Sequence, residues 1–214
     1  MPQTDTAQFF DNYARDFNAI YGTKNTFFNS IINKLFRKSM KLRFEKTIEE
    51  CSPIEGKSVI DIGCGPGHYG ITLAKRGAGS VFGIDFSQSM IDIAVKNAGQ
   101  AGVQGKCTFV VDDFLTFETD KTFDYAIVMG FMDYIAEPDY VIEKLLSLTG
   151  EKALFSFPVD GGILSWQRKI RYKKKCDLYM YKYEMIQKIL ESAHCKHFDI
   201  QKISRDFFVS VSME

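Results

Sequence analysis

The chain has 214 residues, 45% of them hydrophobic and 25% charged, the balance of an ordinary globular core under a charged surface. Lys+Arg and Asp+Glu stand at 27 each, so no global field gathers nucleic acid and any basic patch must be local. No apolar stretch approaches the roughly 20 residues that span a bilayer, and the opening MPQTDTAQFFDNYARDF lacks the charged-then-apolar order of a signal peptide.

Residues 1–52 read as a helical cap. Phe10, Tyr13, Phe17 and Tyr21, then Phe28, Ile31, Ile32, Leu35 and Phe36, recur at helical spacing. The charged stretch RKSMKLRFEKTIEE follows, with Leu42, Phe44 and Ile48 interspersed. Two or three helices with a break near Tyr21-Gly22 fit this pattern, and Ser52-Pro53 with Gly56 marks the turn that ends it. Residues 53–214 then alternate strand and helix. Strands are expected at 58–63, 80–85, 107–113, 123–130 and 153–158, with helices at 68–76, 87–98, 138–148 and 183–193 between or after them. Ser87 stands at an N-cap position. HFDIQKIS and DFFVSVSM close the chain with almost no linker, so they should pair antiparallel. Apolar strands alternating with helices mean a parallel sheet covered on both faces. The expected fold is therefore α/β, a doubly wound Rossmann-like sheet of seven strands, mostly parallel, ending in an antiparallel hairpin.

The sharpest signal is VIDIGCGPGHYG, residues 59–70. Gly63, Gly65 and Gly67 fall just after a strand and just before a helix, where glycine lets the backbone turn sharply and a ligand lie against it. Gly65, Gly67 and Gly70 also satisfy GxGxxG, and Asp85 follows about twenty residues on, so a dinucleotide competes with S-adenosylmethionine (SAM) for this loop. Asp61 discriminates between them. A pyrophosphate would be repelled by that carboxylate, whereas the ammonium and sulfonium of SAM suit it, and no Lys or Arg lies between Ser58 and Ala74 to neutralise a phosphate.

The run from Asp61 through Cys64 to Gly67 resembles the first motif of the class I SAM-dependent methyltransferases. Gly83-Ile84-Asp85-Phe86-Ser87, with Met90 one turn later, resembles that family's second strand end, which implies that Asp85 takes the ribose hydroxyls. Val111-Asp112-Asp113-Phe114 resembles the third strand end. It implies an adenine contact from Asp113, or from Asp112 as the second choice, with a backbone N–H from Phe114. Met129-Gly130-Phe131 closes the fourth strand, where the family's backbone meets the methionine part. Phe9 to Ala14, Arg37 to Phe44 and Gly130 to Tyr134 are loosely similar to a bacterial subset near the magnesium-protoporphyrin O-methyltransferases; the porphyrin acceptor is not carried over. In that resemblance Tyr13 and Tyr21 either touch SAM or pack the cap.

The implied activity is methyl transfer from SAM to a small molecule, leaving S-adenosylhomocysteine. Asp133 and Tyr134, just past the fourth strand, are the candidates for meeting the acceptor, and His68, at a helix N-terminus that favours its neutral form, is a further candidate base. The segment 163–175 holds Trp166 and the basic run RKIRYKKK; a solvated helix, a lid for an anionic acceptor and a membrane-surface contact compete for it. A neutral chain ranks RNA below a small molecule, and no obligate protein partner is inferred. A methyltransferase acting on RNA or protein, a non-catalytic SAM- or nucleotide-binding domain and an NAD-dependent oxidoreductase are the other readings. His194, Cys195 and His197 lack further ligands, so no metal is expected, and the five cysteines, odd in number and without CxxC spacing, read as free thiols of a reducing cytoplasm.

Overall fold

Strands as apolar as VIDI and YAIV must be covered on both faces, and the chain supplies helices for each. A computed structural model describes residues 27–162, 165 and 177–213, with side chains from residue 38 onward. Tyr13, Tyr21, the Tyr21-Gly22 break and the basic segment from Arg168 lie outside the described residues. The order is α1 (Phe27–Glu50), β1 (Ser58–Ile62), α2 (His68–Lys75), β2 (Ser80–Asp85), α3 (Gln88–Gln100), β3 (Cys107–Val111) and β4 (Phe123–Val128). A 3-10 turn (Met132–Tyr134), α4 (Pro138–Ser147), β5 (Thr149–Pro158), α5 (Tyr183–Ser192), β6 (His197–Ile203) and β7 (Asp206–Ser212) follow.

The seven strands lie in the order β3-β2-β1-β4-β5-β7-β6. β1 pairs parallel with β2 and β4, β2 with β3, and β4 with β5. β7 runs antiparallel between β5 and β6. This is the doubly wound sheet with a terminal hairpin expected from the sequence. The chain order reverses between β1 and β4, so the crevice beyond their carboxyl ends is the place for a ligand.

Strand ends differ from expectation in one direction. β1, β3 and β4 stop at Ile62, Val111 and Val128, where their last pairs are Ile62↔Val128 and Asp85↔Val111. Gly63, Asp112, Asp113 and Gly130 therefore leave the ladder and form loops at the carboxyl edge. β5 instead starts earlier, at Thr149, because a register shift between Phe123 and Tyr125 lets Thr149 rejoin β4. α1 is one unbroken helix of 24 residues.

Side-chain alternation divides the core in two. Ile60, Ile62, Val128, Phe155, Phe157 and Val209 point toward α4 and α5. Val59, Tyr125, Ile127, Leu154 and Phe208 point the other way, toward Ile48 of α1 and Leu73 and Ala74 of α2. By the same period of two, Asp61, Ser156 and Asp206 belong to the α1 side. All three are buried polar residues near the carboxyl edge of β5 and β1.

Candidate functional site

The loop after β1 is built on three glycines at positive φ: Gly63 at 65°, Gly65 at 51° and Gly67 at 79°. What each faces separates their roles. A Cβ on Gly63 would come 2.9 Å from the Phe131 ring, and one on Gly67 would come 2.9 Å from Phe109, so both are held by protein packing. A Cβ on Gly65 would meet nothing within 4 Å, so this glycine faces open space. Cys64 is buried, its N–H donating to the Ile84 carbonyl at 3.0 Å, and burial pushes its thiol far up. The cysteine is thus a packing residue of the loop.

Asp85 ends β2 and ties two loops together. Its Oδ2 accepts from the Gly65 N–H at 2.9 Å and its Oδ1 from the Ser87 N–H at 2.9 Å. Ser87 caps α3 as expected, its Oγ accepting from the N–H of the buried Met90 at 3.3 Å. Phe86 is half-buried between them. At the next strand end, Asp112 is exposed and accepts from the Asp113 N–H at 2.8 Å. Half-buried Asp113 accepts from the Leu115 N–H at 3.0 Å, which opens a tight turn. The Phe114 ring lies in the main core, 1% exposed, so only the backbone of this residue can serve a ligand.

Asp61 is the most unusual group. It is 1% exposed, and its Oδ2 has no hydrogen-bond partner. Burial pushes the carboxyl from an ordinary 3.8 up to about 7; the Gly70 N–H pulls it down less, and the Asp85 charge adds to the rise. Buried carboxylate oxygens are ordinarily paired, so an orphan at the end of a central strand fits a site that receives a cation.

Sequence reasoning missed the opposite charge. Arg43 of α1 leans over the β4 and β5 ends, its side chain 13% exposed. Its Nη2 lies 3.3 Å from where a Gly130 Cβ would stand, and Gly130 itself has φ 77°. Its Nε donates to the Tyr69 hydroxyl at 3.3 Å and its Nη1 to Ser156 Oγ at 3.4 Å. Burial works against this charge, but the Tyr69 hydroxyl and the Asp206 carboxylate outweigh it and hold the guanidinium above its ordinary value. Tyr69 feels both Arg43 and Asp61, so the two charges flank one hydroxyl. The signal was present in the sequence: Ser39, Arg43 and Thr47 stand at i, i+4, i+8 beside the apolar Phe44 and Ile48, a polar stripe inside the buried face.

The acceptor candidates sit just beyond β4. Asp133 is buried and Tyr134 half-buried. The Tyr179 N–H donates to the Asp133 carbonyl at 2.8 Å, and the Tyr181 hydroxyl reaches the Met132 and Ile135 carbonyls at 3.3 Å, which fixes this turn. His68 opens α2 on the exposed side, and desolvation of its ring lowers its pKa below the ordinary 6.5. Among the described residues no three His, Cys, Asp or Glu side chains gather as a metal site.

A glycine loop, strand-end acids and a cation thus gather at the carboxyl ends of the strands around a topological switch point. Residues 54–188 match the family model of the methyltransferase domain, and the chain belongs to that family. The class read from the motifs is thereby borne out. Ubiquinone biosynthesis O-methyltransferase of Coxiella burnetii is 34% identical over 115 residues, covering 52% of this chain and 47% of that protein. The Pasteurella multocida protein of the same name is 27% identical over 137 residues, covering 58% and 55%. The chain thus spans about half the length of the curated relatives it matches. Among solved structures, magnesium protoporphyrin IX methyltransferase from Synechocystis PCC 6803 with bound SAH superposes with a TM-score of 0.79 at 22% identity, over 99% of this chain and 100% of that one. The fold is therefore that of the SAM-dependent methyltransferases.

Proposed function

We propose that the protein transfers a methyl group from SAM to an oxygen of a small-molecule acceptor. The observation that carries this reading is the pair of opposite charges at the β1/β4 crevice, the orphan Asp61 carboxylate and the Arg43 guanidinium. A zwitterionic amino acid end needs both, the first for its ammonium and the second for its carboxylate. Gly65, which faces open space, leaves backbone room beside them. Asp85 and Ser87 would meet the ribose, and Asp113 or Asp112 with the Phe114 N–H the adenine, along the edge from β2 to β3. A dinucleotide fits less well: the Gly65 N–H that would receive a phosphate is taken by the Asp85 carboxylate at 2.9 Å.

SAM brings a methyl group on a sulfonium that leaves without protonation, so the protein chiefly aligns the acceptor and excludes water. An oxygen acceptor must still lose its proton. In this reading the Asp133 carboxylate receives it, Tyr134 contacts the acceptor, and His68, whose pKa burial lowers from the ordinary 6.5, is the alternative base. Residues 1–52 act in this reading as a cap, whose described part delivers Arg43. The name that the curated relatives carry, ubiquinone biosynthesis O-methyltransferase, supports O-methylation. We read the site of action as the cytoplasm, since Cys51, Cys64, Cys107 and Cys195 are free thiols. No described helix is long and apolar enough to cross a membrane.

Incubation with methyl-tritiated SAM and a panel of catechols, phenols and aromatic carboxylic acids tests this. Base-stable label marks a phenol ether and base-labile label a carboxylate ester. Transfer to neither, with transfer to RNA or protein instead, would move the acceptor to a macromolecule.

A further inference from the structure

We infer that Asp206, on the C-terminal hairpin, is a positioning residue for the amino acid end of SAM, acting through Arg43; this rests on the reading of Arg43 above. β7 runs antiparallel to β5, so its first residue lands at the carboxyl edge, where Asp206 pairs with Pro158. Its parity places it on the α1 side, with a side chain 7% exposed. There Oδ2 accepts from Ser39 Oγ at 2.9 Å and stands 3.7 Å from Arg43 Nη1. The fold's last strand thus delivers a carboxylate to the crevice, and α1 answers it from Ser39 and Arg43, one helical turn apart.

The guanidinium is fixed on one side only. Nε is spent on Tyr69, and Nη1 on Ser156 and Asp206. No described group accepts from Nη2, which faces Gly130. Ser156 Oγ also accepts from the Gly130 N–H at 2.8 Å, so the same anchor sets the backbone that Nη2 faces. A planar fork held at two nitrogens presents the third in a set direction, which suits a carboxylate.

Asp206 also repels that carboxylate, so the sign needs an argument. Burial is the largest influence on Arg43 and opposes its charge. Without Asp206 a mostly buried guanidinium would lose its ion-pair partner and keep only the weaker pull of the Asp133 charge, and the long side chain would swing toward solvent before a ligand arrived. Leaving a buried charge uncompensated outweighs a repulsion screened across the guanidinium itself. Positioning therefore wins.

The experiment compares, by titration calorimetry, the affinities for SAM and for decarboxylated SAM, which keeps the sulfonium and the ammonium. Wild type should prefer SAM by roughly ten- to hundredfold, the range of a hydrogen bond to a charged group. Arg43→Gln should bring the preference close to one. Asp206→Asn should lower it by several-fold while affinity for the decarboxylated form holds, Asp206→Glu should restore it, and Asp206→Asn in the Arg43→Gln background should lower it no further. If Arg43→Gln leaves the preference intact, the reading of Arg43 fails. If Arg43→Gln removes it but Asp206→Asn weakens both ligands equally, the positioning role alone fails. A preference that rises in Asp206→Asn also overturns the inference, since Asp206 would then be a competitor. Should Asp206→Asn not fold, Ser39→Ala, which removes only the hydroxyl orienting the same carboxylate, decides on the same ratio: lowered supports the role, unchanged overturns it.

Discussion

Asp61→Asn should stabilise the unliganded protein at alkaline pH and weaken its SAM binding. In the folded protein burial holds the Asp61 carboxyl near 7, against 3.8 in an unfolded chain. As pH rises from about 4 to about 7 the unfolded state has released a proton that the folded state still holds, so stability falls through that window and stays low above it. A difference of about 3 between the two pKa values, at 1.36 kcal/mol each, puts the loss on the order of 4 kcal/mol. An amide in the same place carries no charge, but it still leaves buried polar atoms unsatisfied at a cost of about 1–3 kcal/mol. The variant should therefore gain roughly 1–3 kcal/mol over wild type at pH 8 and lose a similar amount at pH 4. For a chain of this size each kcal/mol moves the melting temperature by roughly 2–4 °C, so the two thermal profiles should cross between those pH values. Parallel profiles would refute the reasoning, because they would mean that Asp61 titrates alike in both states.

The same carboxyl predicts that SAM binding by wild type weakens about tenfold from pH 8 to pH 6, with proton release at the lower pH, while Asp61→Asn binds weakly and without that slope; calorimetry in two buffers of different ionisation enthalpy reads both. Gly65→Ala should cost only about 1 kcal/mol in denaturant midpoint, its φ being the whole penalty, yet impair SAM binding. Gly67→Ala should cost about 2–4 kcal/mol because its Cβ also strikes Phe109, Ile71 and Ala94. Phe114→Ala should lower stability by about 3–5 kcal/mol through the cavity it leaves, a loss far larger than any direct contact to adenine would predict.

The sheet was legible because its strands are apolar runs, its breaks are glycines and its last two strands have almost no linker. The glycine loop and the acids at 61 and 85 were legible for the same reason: Asp61 stands inside a run whose period is unambiguous, the glycine loop follows that run, and Asp85 ends the next. The edges were less so. Asp112, Asp113 and Gly130 read as strand residues because propensity does not show where a neighbouring strand stops offering partners. Arg43 and Asp206 were not found at all. Their meeting depends on the antiparallel return of β7 and the tilt of α1, contacts 163 residues apart in the chain that no local pattern encodes. Asp85 was read as a ligand residue alone, although its carboxylate also holds the Gly65 and Ser87 amides. Its removal therefore loosens both loops, and Asn is a cleaner probe than Ala.

The most direct measurement is a calorimetric titration of the purified protein with SAM, S-adenosylhomocysteine and NAD, beside Asp85→Asn. Micromolar binding of the first two, absent for NAD and weakened in the variant, is the predicted result. Binding of NAD with none of SAM or S-adenosylhomocysteine would contradict the account.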